Sequence, residues 1–588
     1  MGRKYSKKEN CPLKSPAKVR HKIHMRFLTN TVDKWNHIKI RFFLLSLITG
    51  ALPFFLLPVY FMEPDDYLLN YIANGSYGFE GSQNLVFIKL PIGCLLKLLY
   101  RLTTQVNWYA ILLAAFIILS YTVIYDCIWA CTKSHLGILA VFLSNLVVLT
   151  WFFTFTVAGY LTVLAGGVLV CTAIIREKPM GCRIAGVLLI YLGYCMRKDT
   201  VLSTLFLLIP LGLRCLYRTY GISELKKQIL LFLKSWGMPI VLALILLGGT
   251  HVLDRAAYQG EQWDGFLEFT SARGYAVDYP SLTYAYHIGE FQEVGIDEID
   301  YYMLVGWNFA EKQVFTPDKM SGAGRVEARN ISLRSRTDYA IGQLNRKGIL
   351  LILLPFFTWL FLLLSRKKYP WFFGLITVGC VWMLDLILLI IRLRYVDRVV
   401  FPMMIASVTA LILLGTGTEK KSPIASTTAL VILLALPGCL YMKDFSSSVA
   451  WMKQPYDSPY HASLVKEIHD HPENLYVFDV VLLSGMYYYN HPVSKVLTTD
   501  TFQNVARAGS WDTFSLRYYN QVQNYVDDPD NLLSALILEK NVKYVSYDAS
   551  VPKLKSFLEY HSGKTCNMSE TSFEDSRYKI YSFELNES

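Results

Sequence analysis

Charge is scarce in this chain. Of 588 residues only 18% are Asp, Glu, Lys or Arg, while 53% are hydrophobic and the mean hydropathy is +0.31. A soluble domain of this length could not cover its surface with so few charges, so the composition points to a polytopic α-helical membrane protein. Also missing are a glycine-rich phosphate loop and any internal repeat, which removes P-loop nucleotide chemistry and solenoid folds. There are 11 cysteines but no CxxC and no His/Cys cluster, so no structural zinc site is expected. Only Cys94 and Cys566 fall clearly in segments outside the membrane and away from the N-terminal tail, and no disulfide framework is implied.

The charge that is present is unevenly placed. Residues 1–41 hold 12 Lys/Arg against 2 Asp/Glu, so +10 of the formal +11 lies in one tail. Such a tail orients a membrane protein and lies on anionic lipid, and no nucleic-acid partner is expected. The apolar run Phe42–Phe61 is long enough to span and has no cleavage pattern after it, so it reads as a retained first helix.

Apolar length predicts eleven spans: Phe42–Phe61, Trp108–Cys131, Leu136–Phe153, Val157–Ile175, Ile184–Met196, Val201–Leu213, Trp236–Leu253, Ile349–Leu364, Trp371–Ile391, Val399–Gly415 and Ile424–Met442. Basic loops then fall on the inner side, which places the N-terminus in the cytoplasm and the C-terminus outside a plasma membrane, with a bacterial one fitting the cysteine usage. The segment "LVFIKLPIGCLLKLLYRL" at Leu85 carries Lys89, Lys97 and Arg101 and reads as an interfacial helix.

This scheme divides the chain into a basic tail (1–41), a transmembrane domain (42–442) and an extracytoplasmic α/β domain (443–588). The transmembrane domain carries an outer loop (62–107) and an outer insertion (254–348) of short helices. In the last region "NLYVFDVVLL" at Asn474 reads as a buried strand, "DNLLSALILEKNVKYVSYD" at Asp530 as helix then strand, and "RYKIYSFEL" at Arg577 as a half-exposed strand.

The most suggestive stretch is "FMEPDDYLLNYIANGSYG" at Phe61. One reading is purely local: Pro64 opens a helix, Asp65 and Asp66 face its positive end, and Asn74-Gly75 closes it. The other is chemical. A carboxylate at the membrane surface can take a proton from an attacking hydroxyl, and two adjacent acids can hold a divalent cation on a phosphate.

One helix, then an outer loop opening with paired acids, then interfacial helices, many spans and an outer soluble domain resembles the GT-C superfamily of membrane glycosyltransferases. "DDYLLNYIANGSYG", "LVFIKLPIGCLLKLLY" and "GIDEIDYYMLVGWNF" also look like a group of bacterial polytopic membrane proteins with no assigned activity. The GT-C resemblance implies a polyprenyl-phosphate or polyprenyl-diphosphate sugar donor, and Asp65 and Asp66 as base or, with Mg or Mn, metal ligands. Glu63 would support them.

A donor phosphate needs cations. "MRKDT" offers Arg197 and Lys198 beside Asp199, and "IRLRYVDR" offers Arg392, Arg394 and Arg398 beside Asp397, both at outer helix ends where the positive-inside trend disfavours them. Pairing with the neighbouring Asp, or snorkelling to lipid, is the competing account. Asp385 lies inside an apolar span, where a carboxyl is costly. Trp263 and Trp307 could stack on sugar, although packing is the default for so aromatic a chain.

The expected function is transfer of a sugar from a polyprenyl-linked donor to an extracytoplasmic glycan, lipid or polymer. A lipid-linked glycan flippase and a non-enzymatic envelope scaffold are the alternatives. The flippase predicts charges along the depth of the bundle, and the scaffold predicts dispensable acids.

Overall fold

The computed structural model describes residues 40–418 and 462–586, with breaks at 49, 53–55, 57–58, 77–79, 134, 136–137, 140, 143–147, 149–152, 221–224, 280–281, 345–347, 480–492, 495, 497–501, and without the side chains of 219–235, 348, 350, 351 and 577. Six of its helices are long and apolar enough to cross a membrane: Trp108–Thr132, Phe155–Ile175, Asp199–Arg218, Trp236–Ala257, Trp371–Ile391 and Asp397–Leu414. Three expected spans correspond to shorter apolar helices, Ile40–Leu52, Met180–Met196 and Ile352–Ser365. Ile424–Met442 and most of Leu136–Phe153 lie outside the described residues.

The stretch read as Val201–Leu213 extends to a helix over Asp199–Tyr220, and the one read as Trp236–Leu253 belongs to a helix over Leu225–Ala257. Lys and Arg bound the apolar run but do not end a helix, because their long stems let the backbone continue past the apolar zone. The central helix is Phe155–Ile175, packed against Trp108–Thr132, Met180–Met196, Asp199–Tyr220 and Asp397–Leu414. Its crossing with Met180–Met196 depends on glycine: a Cβ on Gly166 would lie 2.5 Å from the Gly186 carbonyl oxygen. Small residues allow this close backbone approach. The segment expected to lie at the interface forms a helix over Leu90–Leu102, with Ile92, Leu96 and Tyr100 buried and Leu95, Leu98 and Leu102 exposed.

The C-terminal region forms a five-stranded sheet of order β2-β1-β3-β5-β4, comprising β1 (Leu475–Phe478), β2 (Val505–Arg507), β3 (Val542–Ser546), β4 (Cys566–Phe573) and β5 (Ser576–Leu585). β1 pairs in parallel with β2 and β3, Leu475 opposite Val542, and all four β1 residues are buried, as a parallel strand covered on both faces requires. β5 runs antiparallel to β3 and β4, with β4 largely exposed at the edge.

Treating the insertion and the C-terminal region as separate pieces misses a shared core. Phe269, Phe291, Tyr301 and Phe309 of the insertion belong to one hydrophobic cluster with Leu475, Phe514, Leu532 and Tyr544. Polar contacts reinforce the seam: His561 Nε2 to Asp300 at 2.7 Å, and the Ser534 hydroxyl donating to Glu311 at 2.7 Å. Gly509 sits so near the insertion that a Cβ there would lie 2.2 Å from the Trp307 carbonyl oxygen. The two segments form one cap, seated on the bundle end that also carries the acids.

Candidate functional site

The acidic stretch folds as its local chemistry dictates. A helix runs over Pro64–Asn74 with Pro64 in its first turn, Asp65 and Asp66 beside its positive end, and Gly75 in the left-handed region at φ 85° closing it. The helical screw then sends the two neighbouring acids in different directions.

Asp66 turns inward and is fully buried. Its Oδ1 accepts from the Tyr109 hydroxyl at 2.8 Å and from the Phe155 N–H at 2.9 Å. Phe155 begins the central helix, whose own N-cap residue Thr154 makes no capping bond through its side chain, so Asp66 serves as its cap from a different segment. Burial pushes the Asp66 carboxyl up to about 7, against the pull of the Phe155 N–H, the Thr154 hydroxyl and the Tyr109 hydroxyl.

Asp65 is half-buried and forms no hydrogen bond or ion pair among the described residues. Its negative charge is nonetheless felt by three arginines, Arg197, Arg273 and Arg398. Glu63, one residue before the helix, pairs with Arg398. Burial raises the Glu63 carboxyl, and Arg398 opposes that rise.

The arginines come from three segments. Arg197 ends the Met180–Met196 helix, lies over the Phe87 and Phe155 rings at 5.3 and 5.4 Å, and touches Asp199 at 3.4 Å. Arg394 and Arg398 flank the turn after the Trp371–Ile391 span, which closes with a π-helical turn over Ile387–Ile391 and a left-handed Leu393 at φ 49°. Arg273 projects from the cap helix Glu261–Val277 and is 5% exposed. It lies 5.1 Å over the Trp307 ring.

Arg273 and Arg394 share one carboxylate. Asp278 accepts from Arg273 at 2.9 Å through Oδ1 and from Arg394 at 3.0 Å through Oδ2, so this trio keeps one positive charge. The Arg273 Nε is buried without a hydrogen-bond partner, an unmet donor in a cationic setting. Burial lowers the pKa of Arg273, and Asp278 followed by Asp65 raises it.

Several sequence candidates fall elsewhere. Arg392 and Lys198 are exposed, as is Asp199. Asp397 is half-buried at the start of its helix. Asp385 is buried within its span, its Oδ1 without a hydrogen-bond partner. No group of three or more His, Cys, Asp or Glu among the described residues could hold a metal ion.

Arg273 and Asp278 escaped the sequence reading. Their signal was a basic residue in "EFTSARGYAVDYP", an otherwise acidic and aromatic stretch, but only the docking of the cap shows which helix end they reach. No protein-family model matches the chain, and neither does any curated protein or solved structure.

Proposed function

We propose that the protein is a membrane glycosyltransferase that moves a sugar from a polyprenyl-(di)phosphate donor to an extracytoplasmic acceptor. The carrying observation is the uncommitted Asp65 carboxylate, whose charge is felt by Arg197, Arg273 and Arg398, with Arg273 and Arg394 sharing the single counter-ion Asp278. In this reading Asp65 takes the proton of the acceptor hydroxyl as its oxygen bonds to the anomeric carbon. The bond from that carbon to the phosphate oxygen breaks, and the lipid phosphate leaves with the electron pair.

Arg273, Arg394 and Arg197 supply the positive field in which that phosphate is bound and released. Arg398 holds Glu63 and so fixes the turn that presents Asp65. Asp66 positions the same helix from beneath.

The test is transfer of labelled sugar from a panel of synthetic polyprenyl-phosphate and polyprenyl-diphosphate sugars by full-length protein in nanodiscs. Asp65→Asn is expected to lower turnover by about 10² or more while donor binding persists. Turnover equal to wild type would remove Asp65 as the base. Donor binding and movement across the bilayer without any transfer would favour the flippase.

A further inference from the structure

Beside the arginine cluster lies a cavity of different chemistry. It is a cleft of about 600 Å³, within the range of small-molecule sites, bounded by the loop after the Pro64–Asn74 helix, by the cap helix Glu261–Val277 and by the C-terminal domain. Its lining pairs two indoles, Trp263 and Trp511, with four side-chain amides, Asn84, Asn520, Gln523 and Asn524.

Each amide presents both a donor and an acceptor, which suits hydroxyl groups that do the same. The indole faces suit flat C–H surfaces. The charged side chains of the lining, Glu80 and Asp512 against Lys97 and Arg517, are balanced in sign. Asp512 is paired with Arg507 at 2.7 Å, so the lining is left with one net positive charge at most. Its amides and indoles dominate, and a neutral sugar chain matches them.

Two further observations favour a ligand site over a packing gap. Asn84 Oδ1 is buried with no hydrogen-bond partner, although its Nδ2 reaches the Ala257 carbonyl at 3.3 Å. Val86, also in the lining, holds a left-handed backbone at φ 58°, which is strained for a β-branched residue. That conformation is fixed by the Tyr258 hydroxyl, which accepts from the Val86 N–H at 2.8 Å.

The cleft also adjoins the cations. Trp511 packs on Phe87 with ring centroids 4.8 Å apart, and Arg197 lies 5.3 Å from the centre of the same ring. Phe87 thus touches both sites.

We infer that this cleft binds a short neutral oligosaccharide, whose role as acceptor rests on the transferase reading. A sugar held between Trp263 and Trp511 would direct its free end past Phe87 toward Asp65.

The experiment separates the two claims. Full-length protein in nanodiscs is presented with an array of neutral tri- to pentasaccharides of hexose and N-acetylhexosamine, and the same array is run with Trp263→Ala, Asn524→Ala and Asp65→Asn. Binding of at least one neutral glycan is expected, weakened about tenfold by Trp263→Ala, a loss of the size of one aromatic contact. Asn524→Ala, at an exposed position, is expected to weaken it as well. Asp65→Asn is expected to leave binding intact.

Absence of neutral-glycan binding, capture of acidic glycans alone, or binding indifferent to both cleft variants would overturn the inference. Cleft-dependent binding without transfer from any donor would uphold it while removing the acceptor role and the transferase.

Discussion

Asp66→Asn separates an acid that organises the fold from one that does chemistry. Asp66 is fully buried, and burial lifts its carboxyl from an ordinary 3.8 to about 7. Because the folded-state pKa exceeds the unfolded one, the protonated acid stabilises the fold at low pH. Stability then falls as pH rises from about 4 to about 7 and is flat above. A shift of about 3 units corresponds to about 4 kcal/mol in total, of which about 3 kcal/mol is lost between about pH 4 and pH 7. Asparagine keeps an oxygen for the Tyr109 hydroxyl and the Phe155 N–H but cannot ionise. The wild-type protein should therefore lose stability relative to Asp66→Asn across that window. The assay is thermal unfolding of both proteins in one detergent at a series of pH values, read as the difference between them so that other titrating groups cancel. A difference that does not change with pH, or that grows in the opposite sense, would refute the placement of Asp66 as a buried cap.

Two other substitutions probe the cluster and the bundle. Arg273→Ala and Arg394→Ala should each weaken polyprenyl-phosphate-sugar binding by roughly tenfold to a hundredfold, the range of one charge-assisted contact. Exposed Arg392→Ala should leave it unchanged, and titration of donor into nanodiscs measures all three. Gly166→Val should destabilise the bundle by about 1–3 kcal/mol, because the central helix must move off Met180–Met196. A lower unfolding temperature in detergent is the readout, and an unchanged one would contradict the observed crossing.

Much of the architecture was legible because it is local. Apolar length marks a helix such as Trp108–Thr132 regardless of its neighbours, and β1, the helix-then-strand at Leu532–Ser546 and β5 stand where alternation and apolar runs placed them. Helix ends were less legible: Asp199–Tyr220 outruns its apolar stretch because nothing in "RCLYRTY" stops a helix. The divergence of Asp65 from Asp66 was invisible as well. Adjacent residues on a helix point about 100° apart, but which of them faces inward depends on where Tyr109 and Phe155 pack. The long-range assembly of Arg273 with Arg394 had no local mark at all, since 116 residues separate Arg394 from the shared Asp278.

That separation bears on what the cluster is for. Asp278 belongs to the cap and Arg394 to the bundle, so the cationic site exists only while the cap is seated. Beside these arginines the backbone adopts conformations that L-residues avoid: Trp307 at φ 61°, whose ring lies under Arg273, and Leu393 at φ 49°, next to Arg394. Left-handed conformations cost roughly 1–2 kcal/mol each. A cap whose task was only to cover the bundle could dock through the apolar and polar contacts that it already makes. It would gain little from straining the two residues that aim arginines at one carboxylate. Strained backbone beside converging charge, with an unmet Arg273 donor that feels the Asp65 charge, is what the proposed anion binding and proton transfer would require.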